Sequence, residues 1–355
     1  MSKKVFLEAH NLKNLTTGFG VFNYELLKAM TNENLSDLEV KVLVKNVTAL
    51  QKCFGDKFVY KKYYSLMRNK PFRIRTKCDV FHSLNQNTKI EPFYKPNTYI
   101  LTIHDVNFAD TSCPDFNGKR LKMFQEKLDR ADYLTFISNY AKEQTASFFD
   151  IKDIPNKIIF NGNSISEIYD LGNFQPKHNP VKPYFFSIGV FMDKKNFHSL
   201  VEMMRLLPDY QLLLAGSDQN DYGNKIRELI EKFQLQDRVK LLGRISEEEK
   251  QFYMKNCIAF LFPSIGEGFG LPPLEAMTFG KPVFMSNYTS LPEIGGEEAY
   301  YWKHFDSEYM KEILLNGLND YENNREVKSK QIIKRSQLFT WDNAAKEYLE
   351  LYRTI

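Results

Sequence analysis

Residues 263–283 read PSIGEGFGLPPLEAMTFGKPV. Three glycines (266, 268 and 270) fall within five residues, two prolines are adjacent, and Glu267 and Glu275 stand with seven residues between them. The run just before, CIAFLFPS (257–264), has the length and apolar content of a buried strand. IGEGFG is then the loop that leaves the strand, and LPPLEAMTF a short helix. Proline is tolerated in a first helical turn because its missing N–H would have no partner there. Gly280 suits the C-terminal cap, with Lys281-Pro282 ending the element. A helix start presents unpaired N–H groups and partial positive charge, which suits a phosphate, and glycines let a ligand approach the backbone. Glu275 is expected in the first turn of this helix, where a carboxylate is favoured and can accept hydrogen bonds from sugar hydroxyls. Glu267 is expected in the loop, nearer an open cleft.

Outward from this stretch, short apolar runs rich in β-branched and aromatic residues recur: KVFLEA, VKVLV, DVFHSL, TYILTIHD, DYLTFIS and KIIFNG. Helical patterns such as FNYELLKAM and SNYAKEQTASFF lie between them. Strands alternating with helices predict a parallel, doubly wound sheet. Residues 167–183, EIYDLGNFQPKHNPVKP, have no period, and 169–183 is expected to be an interdomain linker. The rhythm then resumes with PYFFSIGV, YQLLLAGS, RVKLLG, CIAFLFPS and KPVFMS. Two α/β domains are therefore expected, 1–168 and 184–340. A last amphipathic helix, 341–355, would carry Ala345, Tyr348, Leu349 and Tyr352 on one face. In such sheets ligands bind beyond the carboxyl ends of the strands, so polar residues just after strands become the candidates.

The 355-residue length suits about two domains. A net charge of +4 is too weak to imply nucleic acid. Cys53, Cys78, Cys113 and Cys257 form no CxxC pair, so reduced cytosolic thiols are expected. The start MSKKVFLEAHNL does not read as a signal peptide, and no run reaches the ~18 uninterrupted apolar residues of a spanning helix. A cytoplasmic protein, able to sit at the inner membrane face, is the expectation.

The glutamate stretch resembles the E-x7-E signature of retaining glycosyltransferases of the GT-B fold, family 4 (glycosyl transferases group 1), in a mannosyltransferase-like branch. The resemblance runs along nearly the whole chain. TTGFGVFNYELLKAM is similar to the family's N-terminal glycine loop and helix; LTIHDVNF, FISNYAKE and IIFNGNSI to its N-domain strand ends; FFSIGVFMDKKN to its first C-domain strand and basic loop; SLPEIGGEEA to the segment after the glutamates. The resemblance implies two Rossmann-like domains facing across a cleft, the first for acceptor and the second for the nucleotide-sugar donor, with the last helix crossing back to the first domain. It implies that Glu267 contacts the donor sugar, Glu275 the ribose, and Lys195 with Lys194 the diphosphate. Gly18, Phe19 and Gly20 would approach phosphate or acceptor, and His104 would stand at the reacting centre. Gly243, Arg244 and Ile245 would flank the nucleobase, while Gly189, Gly268, Phe269, Gly270 and Leu271 line the donor site. The family often has an arginine soon after the glycine of SIG. Here Gly189-Val190-Phe191 follows, and lysines supply the charge as points rather than forks.

The chemistry is consistent with that reading. Sugar transfer leaves new negative charge on a diphosphate, which preorganised positive groups stabilise. Lys195 can do this without metal, and the chain contains no Asp-x-Asp, the motif GT-A transferases use to hold one. No metal and no cofactor are expected. His104 ends the strand YILTIHD, and His82, in DVFHSLNQN, is a weaker candidate by the same placement. Residues 57–77 carry eight Lys or Arg and no acid, interleaved with aromatics. This is either a solvated face or a contact for anionic lipid, a phosphate-bearing acceptor or nucleic acid, with lipid or acceptor preferred. Competing readings are a glycosidase, which needs both carboxyls to flank one bond, and a dehydrogenase, for which TGFG lacks the full fingerprint. A nucleotide-sugar epimerase or a non-catalytic nucleotide binder on the same fold also remains open. For a transferase of this branch, GDP-mannose is the first donor expected and a UDP-sugar the second. The acceptor would be a glycan or lipid-linked intermediate of polysaccharide or lipopolysaccharide synthesis.

Overall fold

The computed structural model describes residues 2–15, 17–110 and 117–355; Thr16 of the glycine-loop stretch and Cys113 lie outside the described residues. The chain divides into two compact units, Met1–Ser164 with Phe339–Ile355, and Ile165–Leu338.

In unit 1 the described strands are β1 (Lys3–Glu8), β2 (Leu38–Val44), β3 (Val59–Lys62), β4 (Val80–Ser83), β5 (Thr98–Ile103), β6 (Tyr133–Phe136) and β7 (Asn156–Ile158). They form one sheet in the order β3-β2-β1-β4-β5-β6-β7, parallel at every pairing. The central strands β4, β5 and β6 are almost wholly buried, as expected where both faces are covered, whereas the edge strands β3 and β7 are not. Phe6, Phe81, Leu101, Leu134 and Phe136 are buried in one core cluster with Phe108 and Phe124. The C-terminal helix Trp341–Thr354 completes this unit. Its Trp341, Ala345, Tyr348, Leu349 and Tyr352 are buried, and Trp341 and Tyr348 meet Phe22 of the helix Gly18–Met30 edge to face at 5.6 and 6.4 Å.

Unit 2 contains β8 (Tyr184–Ile188), β9 (Gln211–Ala215), β10 (Val239–Gly243), β11 (Ala259–Phe262), β12 (Val283–Ser286) and β13 (Tyr300–Trp302). The order is β10-β9-β8-β11-β12-β13, again wholly parallel. Two core clusters lie within it. In both sheets successive strands step outward from the first strand to one side and then resume on its other side, the doubly wound pattern. The reversal falls between β1 and β4 in unit 1 and between β8 and β11 in unit 2.

The expected linker 169–183 is instead part of unit 2. Its backbone is held by side chains there: Tyr169 N–H donates to Gln251 Oε1 at 2.9 Å, Lys177 N–H to Glu249 Oε1 at 3.1 Å and Val181 N–H to Gln211 Oε1 at 3.1 Å. The Pro- and Asn-rich composition marked an absence of regular structure, not an absence of contacts. Unit 2 also ends at Leu338 rather than 340, because Phe339 O accepts from Asn163 N–H at 3.0 Å and its ring packs on Phe160 in unit 1. Among the described residues no helix is long and apolar enough to cross a membrane.

Candidate active site

In unit 2 the loops leaving β8 and β11 part in opposite directions at the strand-order reversal, which leaves a crevice beyond their carboxyl ends. The loop after β8 carries Lys194 and Lys195 in a short 3-10 turn, Asp193–Lys195. The loop after β11 carries Glu267. Lys194 O accepts from Ile265 N–H at 2.8 Å and lies 3.0 Å from Ser264 Oγ, and Asn196 Nδ2 donates to Pro263 O at 3.3 Å. These bonds stitch the two loops together and set their charged side chains against each other.

Lys195 Nζ forms an ion pair with Glu267 Oε1, the side chains being 12% and 14% exposed. Ser264 Oγ lies 2.6 Å from the same carboxylate oxygen, and the ammonium stands 5.0 Å over the Phe262 ring. Glu267 N–H donates to Thr289 Oγ1 at 3.3 Å. The carboxylate is thus fixed on both its backbone and side chain, while a residual opening to solvent remains. A ligand bringing negative charge can take over the lysine, which would free Glu267 to accept from hydroxyls.

Glu275 is buried and is the fifth residue of the helix Leu271–Met277, so it lies beyond the first turn in which it was expected. The helix is also shorter than the run LPPLEAMTF suggests, closing through Gly280 at φ +64°. Glu275 Oε1 binds Lys250 Nζ at 3.1 Å, and Lys250 also holds Glu247 Oε2 at 2.9 Å. Burial pushes the Glu275 carboxyl above its ordinary value, against the pull of the Lys250 ammonium. For Lys250 burial acts downward, but the two carboxylates outweigh it and raise the ammonium. Lys250 therefore stays charged, and a buried carboxylate with one partner keeps acceptor capacity for a ligand. Sequence reasoning missed Lys250: in SEEEKQFYMKN it reads as one more charge on a solvated helix face. Its position follows from a capping box between Ser246 and Glu249, which starts the helix Glu247–Asn256.

The other residues expected at the donor site also lie in unit 2. Gly189, Gly268 and Leu271 are half-buried and Phe269 is buried. Gly270 caps the helix start at φ +124°, where a Cβ would stand 2.9 Å from Leu291 Cδ2, so no other residue fits without strain. Gly243 ends β10, Arg244 after it is exposed, and Ile245 packs against the unit 2 core.

In unit 1, Gly18 opens the helix Gly18–Met30, capped by Thr17, whose Oγ1 accepts from Gly20 N–H at 3.3 Å. A Cβ on Gly20 would meet Asn14 O at 1.9 Å, so glycine is required for the loop to fold back on itself. Phe19 and Phe22 set their rings edge-on to His104 at 4.8 and 4.7 Å. His104 is buried, with Nε2 2.9 Å from Leu84 O, and burial lowers its pKa to about 4. The ring is therefore neutral, with Nε2–H donating to that carbonyl. His82 is a core histidine and not a site residue: Nδ1 is 2.7 Å from Tyr352 Oη and Nε2 2.7 Å from Thr102 Oγ1, both buried. Strand-end placement drew attention to both histidines, but both are buried, and placement alone does not separate a core histidine from a site residue.

The chain was compared with known proteins. Residues 172–336 match the model of glycosyl transferases group 1. The O-antigen chain mannosyltransferase B of Escherichia coli is 26% identical over 74% of this chain and 73% of its own length. The serotype-specific mannosyltransferase WbdA of Escherichia coli is 28% identical over 67% of this chain, but only 30% of its own length is spanned. A crystal structure of Anabaena Alr3699/HepE in complex with UDP-glucose superposes with a TM-score of 0.73 over 99% of this chain and 100% of that one, at 15% identity. With two wholly parallel doubly wound sheets and residues 172–336 matching the group 1 model, the chain is a glycosyltransferase of GT-B fold.

Proposed function

We propose that the chain transfers mannose from GDP-mannose, with retention at the anomeric carbon and without a metal ion, to a glycan or lipid-linked acceptor in O-antigen or related cell-surface polysaccharide synthesis. The observation that carries this reading is the Lys195–Glu267 pair at the strand-order reversal of unit 2, with the buried Glu275–Lys250 pair on the same loop-and-helix system. Lys195 takes the departing diphosphate, its charge preorganised and partly desolvated so that it counts for more than in water. Glu267 then accepts from the sugar hydroxyls and Glu275 from the ribose. The mannosyltransferase names of the relatives support mannose; the UDP-glucose complex of the structural neighbour supports a UDP-sugar as the second donor. The cytoplasmic face of a membrane is the proposed location. Exposed Tyr64, Leu66 and Phe72 stand in the basic stretch 57–77 and Phe93 beside Arg75, whose guanidinium is 4.8 Å from that ring, which suits an anionic lipid surface.

Thermal unfolding with GDP, UDP, ADP, dTDP and CMP, each with and without a divalent ion, tests the reading. A ligand that binds the folded state at a hundredfold excess over Kd adds about 2.7 kcal/mol. GDP is expected to raise the transition without metal, and Glu275→Ala to remove the shift. Stabilisation by UDP alone would replace the donor, and a strict requirement for a divalent ion would overturn the metal-free transfer.

A further inference from the structure

The strand-order reversal of unit 1, between β1 and β4, also opens a pocket, of about 250 Å³. Lys13 follows β1, Asn85 and Lys89 follow β4, and Arg68 reaches it from the basic stretch 57–77, with Phe19 of the glycine loop beside them. Its lining contains no Asp or Glu among the described residues. Neither Lys13, Arg68 nor Lys89 forms an ion pair with a carboxylate there, whereas Glu8, at the end of β1, is fully buried and taken by His10 Nδ1 at 2.5 Å. Burial and the neighbouring Arg68 and Lys45 charges lower the Lys13 ammonium, outweighing the opposing pull of Glu8.

A second observation comes from Asn85, which is 1% exposed. Its Oδ1 accepts from Asn87 N–H at 2.9 Å, which fixes the amide, and its Nδ2 has no hydrogen-bond partner in the protein. Buried donors are rarely left unpaired. Three cations that form no ion pair among the described residues and an unspent buried N–H donor at one strand-order reversal describe a receptor for an anion with several acceptor oxygens.

We propose that this pocket binds a phosphate monoester or diphosphate carried by the acceptor substrate, so that the acceptor is a phosphorylated molecule held by Lys13, Arg68, Lys89 and Asn85. The inference rests on reading the chain as a transferase whose donor occupies unit 2. It divides the basic stretch 57–77 by role: Arg68 serves the pocket, while Arg75 and Lys77 lie over the rings of Phe93 and Tyr94.

The test uses the full chain carrying Lys195→Gln, which removes the phosphate-seeking lysine of unit 2. Glycerol 3-phosphate is titrated calorimetrically, and vesicles of phosphatidylcholine with and without phosphatidic acid are sedimented with the protein. Adding Arg68→Gln and Lys89→Gln, both at exposed positions, is expected to weaken capture of the phosphate at least about tenfold with no change in Tm. Adding Arg75→Gln and Lys77→Gln is expected to leave binding of the soluble ester unchanged, and to weaken vesicle binding less than Arg68→Gln with Lys89→Gln does. Binding of the soluble ester assigns a free phosphorylated acceptor, and binding of phosphatidic acid vesicles alone assigns a lipid-borne one. Failure of both probes to bind, or equal loss with the two variant pairs, overturns the pocket. A Glu275-dependent nucleotide shift in the otherwise unmutated chain tests the donor reading separately, so either inference can fail while the other stands.

Discussion

Lys195 and Glu267 neutralise each other at the carboxyl ends of β8 and β11, and each is mostly buried. Removing one partner leaves the other charge without compensation in a poorly solvated place, which is the costly way to break such a pair. Lys195→Ala is expected to lower stability by roughly 1–3 kcal/mol, less than for a fully buried pair because both side chains keep some solvent. Adding Glu267→Gln to it is expected to recover part of that loss. Urea unfolding of the four members of this double-mutant cycle measures the coupling, and additive effects would mean that the pair is not a unit. The two variants also separate in function: Lys195→Ala should weaken nucleotide diphosphate binding, whereas Glu267→Gln should spare it and lower kcat. Glu267 and Glu275 were legible because their spacing is local to one loop and helix. Lys250 was not, because its meaning comes from a contact 25 positions away, and nothing in SEEEK distinguishes a lysine that turns inward from one that stays in water.

Two elements of unit 1 are tied to the last helix through a single histidine. His82 on β4 binds Tyr352 and, on its other nitrogen, Thr102 of β5. Burial, with the nearby His104 adding to it, lowers the His82 pKa from 6.5 to about 3. His104 falls to about 4 from the same starting value, also through burial. Both groups are depressed in the folded state, so the unfolded chain binds more protons once the pH drops below the unfolded value of 6.5. Their contribution is complete above that pH and is lost as pH falls toward the folded values. Stability should therefore decline on acidification from about pH 6.5 to about pH 4, by up to about 1.4 kcal/mol per pH unit for each histidine. In His82→Gln the slope should fall by about one histidine's share. The same substitution should cost roughly 1–3 kcal/mol at neutral pH, because Tyr352 and Thr102 each lose a buried partner. Denaturant titrations at several pH values check both statements; an unchanged slope would mean that His82 already carries a proton in the folded protein. The strands and the amphipathic face of the last helix could be read from periodicity alone. That His82 belongs to the core could not, since DVFHSL ends a strand just as YILTIHD does, and only the partner across the sheet tells the two apart.

At the scale of the whole molecule, each unit carries the same device: a parallel sheet whose strand order reverses, with the polar residues that matter placed just past the reversal. This much could be read from strand–helix alternation, whereas the division of the chain could not be read fully. The chain leaves unit 1 after Ser164 and returns at Phe339, and irregular composition at 169–183 disguised a segment that unit 2 holds by hydrogen bonds. The consequence is an asymmetry in autonomy. Unit 2 is one uninterrupted stretch with its whole sheet and both of its core clusters inside it. Unit 1 is discontinuous, and its second piece supplies Trp341, Tyr348, Leu349 and Tyr352, all buried. Each such side chain contributes on the order of 2 kcal/mol by burial, and together they rival the ~5–15 kcal/mol that a domain has in total. Residues 165–338 expressed alone are therefore expected to unfold in one cooperative transition and to retain the stabilisation by nucleotide seen in the full chain, since Lys195, Lys250, Glu267 and Glu275 all lie within them. Residues 1–164 alone are expected to lack a cooperative transition and to gain one when a peptide of residues 339–355 is added. Calorimetry of the three samples decides it: a cooperative transition of 1–164 without the peptide would show that the last helix only decorates unit 1, and loss of nucleotide stabilisation from 165–338 would show that the donor site needs more than its own unit.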